Sequence, residues 1–468
     1  MKSWLILFFF LFFIAKVSAQ TFKSFHLPDS TQRDSTLYDI KAFKPEKHFF
    51  RASGELLLVQ LIPWTYDHFI RKEDWTKVSF KSIGHNLNFS NWEWDDNSFL
   101  ANQFAHPYHG SLYFNAFRSN GYNFWQSSAA AFAGSFLWEV AGETNPSAPN
   151  DFINTSFGGL SLGEMTHRLA NVIIKRKHRG SRRTRQELLA MAINPVNGFN
   201  RIISGKWGKY NPYEADDTTR ITAFFDLGYR RTSTRIDDIL DRGKNEIFGR
   251  LELAYGDPFE DNKRAFDNFF VMAEVGQSDS ARLNTLRVQG HLAAKEIGQA
   301  GSRNRFLTLN VNYDYYNNSK FEYGGQSITG QLLNRVPLST RSRLVTAVGG
   351  GVVILAAVPD HYMYYGEGRN YDYGPGIGYH ASTWFNYGKY FFANLQYRGG
   401  VFWTINGHDS YYFLHAFTAQ GRVNIYKNLG ISSEFGLYHL EGHYKEFDDV
   451  NDYYPYFRLS ASYQIGLQ

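Results

Sequence analysis

The chain contains no cysteine, so disulfides, thiolate catalysis and Cys-based metal sites are excluded together. Its 468 residues include only 13 prolines and 5 methionines. A helical membrane span is missing as well. The apolar run from Trp4 to Ile14 falls short of the roughly 20 residues a helix needs to cross a bilayer. A formal net charge of +5 is too small to mark a polyanion-binding chain by itself.

That short run follows Lys2 and precedes the small residues Val17, Ser18 and Ala19. Charged start, apolar centre and small-residue end form a secretory signal over 1–19, with cleavage expected after Ala19. No Cys stands at that position, which closes the lipoprotein route. Export leaves no nucleic-acid partner among those expected, and residues 20–48 read as an exported polar tail or linker.

Aromatic residues are abundant, at 18%, with 31 Tyr and 41 Phe. From Ile221 onward the apolar period becomes two, as in strands with one greasy and one wet face. Leu307, Leu309, Val311 and Tyr313 alternate with Thr308, Asn310, Asn312 and Asp314, and Phe457, Leu459, Ala461, Tyr463, Ile465 and Leu467 alternate with polar residues. A soluble sandwich would alternate too. Long segments, Tyr at the segment ends and polar turn-rich connections favour a transmembrane barrel. The expected fold class is therefore α+β: an N-terminal helical segment, then an outer-membrane antiparallel β-barrel of about 12 strands over 221–468. The wet face carries Arg230, Arg250, Glu252, Glu274, Arg287, His291, Arg398, Arg422, Glu434 and Arg458, which should pair into a network inside the barrel. One departure is the last residue, Gln468, where such barrels commonly end on an aromatic ring.

Residues 49–210 read as helical. The stretches 54–63 and 125–139 are apolar nearly all round and suggest buried helices. Between 97 and 168 the sequence orders an HP-x-x-G element at His106, a W-E-x-x-x-E element at Trp138, and P-S-x-x-x-D-x-x-N from Pro146 leading to Gly163-Glu164. Here the chain resembles the domain of unknown function 3943 family of bacterial exported proteins. The resemblance implies an envelope location and no established activity.

On a regular helix Asn102, His106 and His109 would share one face, as would Glu139 with Glu143 and Glu164 with His167. The Glu164 to His167 spacing is the one carboxylate-bridged metal sites use in helical bundles. A divalent metal held by Glu164, His167, His106 and Glu143 is one expectation; the full two-metal pattern needs a second E-x-x-H element. The other is acid–base chemistry, with His106 or His109 as base, Glu143 or Asp151 orienting it, Ser147 or water as nucleophile, and Glu139 a further candidate catalytic residue. No G-x-S-x-G or H-E-x-x-H accompanies them. The same residues also suit structural duty, with Ser147 or Asn150 capping a helix, Asp151 in its first turn and Pro107 starting another.

Residues 175–185 hold seven Lys or Arg, a solvated loop that would favour anionic headgroups on the periplasmic side. Two functions stay open. One is a barrel with a helical plug or periplasmic domain, serving envelope integrity or small-solute passage. The other is a membrane-embedded hydrolase acting on lipid or lipopolysaccharide through the His/Glu/Asp cluster. The expected partners are outer-membrane lipid or lipopolysaccharide and the barrel assembly machinery.

Overall fold

A computed structural model describes residues 46–467, except 176–177, 211–216, 218, 240, 263, 278–281, 299–300, 319, 365 and 367. The expected signal, most of the polar tail and part of the basic run lie outside the described residues.

The chain begins with α1 (Phe49–Tyr66), extended by a π-helical turn Asp67–Arg71, and α2 (Phe80–Asn86). A second π turn, Ala101–Ala105, leads into α3 (His106–Arg118), followed by α4 (Phe124–Ala141). Then α5 (Pro149–Ile153), a third π turn (Asn154–Gly158) and α6 (Gly159–Ile173) form one continuous rod. α7 (Gly180–Ile193) and α8 (Pro195–Ile203) complete the helical part.

Twelve antiparallel strands follow and close on themselves: β1 (Ile221–Thr232), β2 (Lys244–Tyr255), β3 (Phe269–Gly276), β4 (Leu283–Glu296), β5 (Arg305–Asn317), β6 (Glu322–Pro337), β7 (Ser342–Pro359), β8 (Tyr371–Tyr387), β9 (Phe391–Trp403), β10 (Ser410–Tyr426), β11 (Leu429–Tyr444) and β12 (Val450–Leu467). The seam pairs Ile221 with Leu467 and Thr232 with Tyr456. Both barrel termini therefore lie at one end, here the terminal end; the other is the distal end.

Alternation works as the sequence suggests. In β5, Thr308, Asn310, Asn312 and Asp314 are buried in the lumen, while Leu307 and Leu309 point outward and stay 54% and 44% exposed. Closure removes every sheet edge, and this inside-out polarity is that of a bilayer-spanning barrel, which in bacteria resides in the outer membrane.

The outer wall breaks its own pattern. Val311, Tyr313 and Tyr315 share the outward face with Leu307 and Leu309, yet are 2%, 0% and 0% exposed. In β8, outward-facing Ile377 is 54% exposed and outward-facing Tyr371 and Tyr373 are 0%. The helices cover them. Tyr313 Oη donates to Gln103 O (2.6 Å), Asn102 Nδ2 to Tyr371 Oη (3.0 Å), and Tyr371 Oη to Asn97 O (2.9 Å). Near the terminal end Arg168 of α6 reaches Asp267 Oδ1 (3.1 Å) and Ala265 O (2.6 Å) in the β2–β3 connection.

The helical part is thus a buttress on the outside of the wall, running from the terminal end to the start of β8. This corrects the expectation of a plug or a domain beneath the barrel. It also corrects the reading of residues 54–63 as buried: α1 packs one face on the bundle and leaves Phe50, Leu58, Leu61 and Ile62 exposed. No described helix is long and apolar enough to cross a membrane; the strands are the spanning elements.

Inside, Arg230, Arg250, Arg422 and Arg458 interlock with Asp226, Glu246, Glu252, Glu274 and Glu434. The expected network is present and fills one side of the lumen. At the distal end inward-facing rings pack into a seal around Tyr316, Phe321, Phe402, Tyr412 and Tyr444, with Phe321 stacked on Tyr438 at 4.5 Å between centroids.

Candidate metal centre on the barrel wall

The site grows from a close helix crossing. A Cβ on Gly110 of α3 would lie 1.8 Å from Thr155 O, and one on Gly159 would lie 2.6 Å from the Gly110 carbonyl carbon. Only glycine on both sides lets the backbones approach this closely. The contact sets His106 against the third π turn, where His106 Nδ1 bonds Thr155 Oγ1 (3.2 Å) and His106 Nε2 faces Asp151 Oδ1 (3.5 Å).

Glu139 approaches from the last turn of α4. Its Oε2 accepts from Ala148 N (2.8 Å), and Ser147 Oγ donates to Glu139 O (2.8 Å), tying the connection after α4 back onto the helix. Asn86 of α2 clamps the same end, its Nδ2 reaching Glu139 O, Glu143 O and Asn145 O at 2.9 to 3.3 Å. Asn150 Nδ2 donates to Asp151 Oδ1 (2.8 Å) and to Tyr373 Oη (3.2 Å), which fixes Asp151 relative to the barrel.

One ligand atom each from His106, Glu139 and Asp151 can be chosen so that all lie within 4.8 Å of one another. Glu143 and Asp95 stand close enough for their charges to act on this group. Burial, reinforced by Asp95, Glu139 and Glu143, pushes the Asp151 carboxyl well above its ordinary range. Burial first, and then the charges of Glu139 and Asp95, does the same to Glu143. Glu139 is pushed up by burial to about 8, against the bond from Ala148 N that pulls it down. Burial holds the His106 ring below its usual range, opposed by Asp95, and takes His109 down to about 4.

No Lys or Arg among the described residues forms an ion pair with any of these four carboxylates. Two further buried acceptors flank them: Asn102 Oδ1 and Asn154 Oδ1 have no donor and their residues have no exposed surface. Acceptors and acids concentrated without a base call for protons or a cation. His, Glu and Asp suit a divalent ion such as Zn²⁺ or Mn²⁺, and the Thr155 bond to the second ring nitrogen is the kind of outer contact that orients a metal-bound imidazole.

The sequence-derived candidates divide. His106, Glu139, Glu143 and Asp151 come together. Ser147 is fully buried and its hydroxyl is engaged by a backbone carbonyl, with no bond to either histidine. His109 turns away, its Nε2 on Val59 O (3.3 Å). Glu164 is bound by Arg118 Nε (2.7 Å) and Arg168 Nε (2.8 Å), and His167 Nε2 pairs with Asn171. These two therefore stabilise the bundle instead of joining the cluster. Nor do Asn102, His106 and His109 share a face, because the π turn before His106 adds a residue to the helical register. The cap of α5 is Ala148, not Ser147 or Asn150; Asp151 does sit in its first turn, and Pro107 does open α3. Asp95 escaped the sequence reading because it lies in an irregular connection with no periodic partner.

The family described as "Domain of unknown function (DUF3943)" matches residues 91–196, which include Asp95 and all the clustered residues. No curated protein matches the chain. Among solved structures, an outer membrane channel from Pseudomonas putida F1 is similar at 11% identity and TM-score 0.30, covering 55% of this chain and 98% of that one. An anion-selective porin from Comamonas acidovorans gives 9% and 0.23 over 52% and 98%, and outer membrane phospholipase A from Escherichia coli 13% and 0.26 over 54% and 93%. At such scores these likenesses carry no functional implication.

Proposed function

We propose, for a chain that carries a DUF3943 domain on an outer-membrane β-barrel, that the helical buttress is a divalent-metal hydrolase acting on membrane lipid and that the barrel is its anchor. The observation that carries this reading is the convergence of part-buried His106 with buried Glu139 and Asp151, supplemented by Glu143 and Asp95, without an ion-paired Lys or Arg among the described residues. A bound ion would polarise an ester or amide carbonyl and lower the pKa of its water, and Glu143 or Asp95 would take the proton as water adds. Hydrolysis releases the acid and the alcohol or amine.

Lipid as substrate follows from position. The cluster is tied to Tyr373 at the distal rim of the outward face, which we read as headgroup depth, beside a bundle with exposed apolar side chains. Barrel termini in bacterial single-chain barrels face the periplasm, so the distal rim meets the outer leaflet. Solute passage is the weaker reading, given the aromatic seal and the ion-pair network in the lumen.

The test is metal analysis of protein refolded in detergent, paired with mass spectrometry of outer-membrane lipid. About one Zn²⁺ or Mn²⁺ per chain, lost in Glu139→Gln with heat-modifiable migration intact, is expected. Metal-free protein at every pH from 6 to 9, or unchanged lipid in cells expressing the variant, overturns it.

A further inference from the structure

The lumen itself is not solid. A cavity of about 510 Å³ runs beside the ion-pair network, whose Glu252 and Arg422 form part of its lining, and reaches the terminal end past Arg220, Asp257 and Arg343. At the distal end the packed rings around Tyr316 and Phe402 close it. It is therefore blind, and its size lies within the range of small-molecule sites.

Its deep wall has an unbalanced charge. Arg398 grips Asp314 with both terminal nitrogens (2.8 and 2.9 Å), and Arg287 Nε adds a third bond to the same carboxylate (3.1 Å). Neither arginine has another carboxylate partner among the described residues. Two guanidiniums on one carboxylate leave one positive charge in excess, and the Arg398 side chain keeps 26% of its surface open. The ion-pair network, which contributes Glu252 and Arg422 to the lining, has its excess of the other sign, with four arginines among five carboxylates. The walls between carry neutral amides, Gln289, Asn312, Gln331 and Gln396. His291 also lines the cavity, 7% exposed, with Nδ1 unpartnered.

We infer that this blind pocket binds a small anionic polyol entering from the terminal end. Its carboxylate or phosphate group would sit on Arg398 and Arg287, and its hydroxyls on the amide wall. Guanidinium forks match planar or tetrahedral oxyanions. Carboxamides, each both donor and acceptor, match a hydroxylated body. The inference is independent of the metal centre, which lies on the opposite face of the wall.

Calorimetric titration of the refolded full chain with gluconate, glucose 6-phosphate and glucose tests it. Gluconate or glucose 6-phosphate should bind at least about tenfold more tightly than glucose, and whichever anion binds better identifies the headgroup. Arg398→Gln should weaken the anion by about tenfold or more. Because Arg398 also holds Asp314, the exposed mouth variant Arg343→Glu gives a second reading that leaves the lumen packing untouched, with a smaller loss that vanishes in high salt. Equal binding of glucose and the anions, no binding by any of the three to protein with native migration, or full anion affinity in both variants overturns the proposal.

Discussion

Two of the molecule's polar clusters, one in the lumen and one on the wall, are built on opposite principles. In the lumen, arginines and carboxylates alternate so that each charge meets its opposite, and Arg250 alone reaches Asp226, Glu252 and Glu434. On the wall, Asp95, Glu139, Glu143 and Asp151 gather around one histidine, with no Lys or Arg among the described residues ion-paired to any of them. A network of the first kind, in which every charge has an opposite beside it, rigidifies the barrel. The second kind is unfinished without something from outside, and of the two it is the one that marks a candidate site.

The sharpest way to break this contrast is to delete ligands. Glu139→Gln combined with Asp151→Asn should lower metal affinity beyond the roughly 10 to 100-fold that loss of an outer contact costs, with barrel migration on gels unchanged. Thr155→Val should fall within that 10 to 100-fold range. Retained affinity in the double variant would place the ion elsewhere.

On the other side, Arg250→Met removes one of the four cations and leaves Asp226 to Arg422 and Glu434 to Arg458; the added negative excess in the buried lumen should cost up to about 3–5 kcal/mol. Denaturant titration of the refolded barrel measures this. Metal binding should survive wherever the barrel folds, since the two clusters share no residue.

The smallest effect is in pH. Glu139, pushed up to about 8, holds its proton in the folded protein across pH values where the unfolded chain has released it. Its contribution is complete below about 4.5 and lost as pH rises through about 8. Glu55, pushed up by burial to about 7, acts in the same sense. His109, held down to about 4, works oppositely, its contribution present above about 6.5 and lost as pH falls toward 4. Metal-free protein should therefore lose stability between pH 6.5 and 8, where only the carboxyl effects remain. Saturating divalent ion, which displaces the Glu139 proton, should remove that part of the slope and leave the part due to Glu55, which lies outside the cluster. A slope identical with and without ion would detach Glu139 from metal binding.

The barrel was legible because period-two alternation repeats over twelve segments and each repeat constrains the next. The ion pairs of the lumen followed from the same parity. What alternation cannot report is who covers the outward face. Tyr313 and Leu309 look equivalent in sequence, and only the fold decides that one meets helices and the other hydrocarbon. Within the helical part, His106, Glu139, Glu143 and Asp151 were visible as chemistry-bearing residues, and their convergence was not. The π turns and the glycine crossing at Gly110 and Gly159 set it, and neither leaves a periodic trace. Glu164 and His167 had the right spacing for a metal, but Arg118 and Arg168 claim the carboxylate first.

The tyrosines that hold the helices against the wall have a bearing on the order of assembly. Asn97 and Tyr371, joined by a hydrogen bond, stand 274 residues apart. Tyr313 and Tyr373 belong to strands that become neighbours only through β6 and β7. The docking surface for the first helices made thus does not exist until β5 through β8 have zipped together, and closing so long a loop is a late step. The part of the chain synthesised first is positioned last, and its apolar faces must be sheltered by something else while they wait.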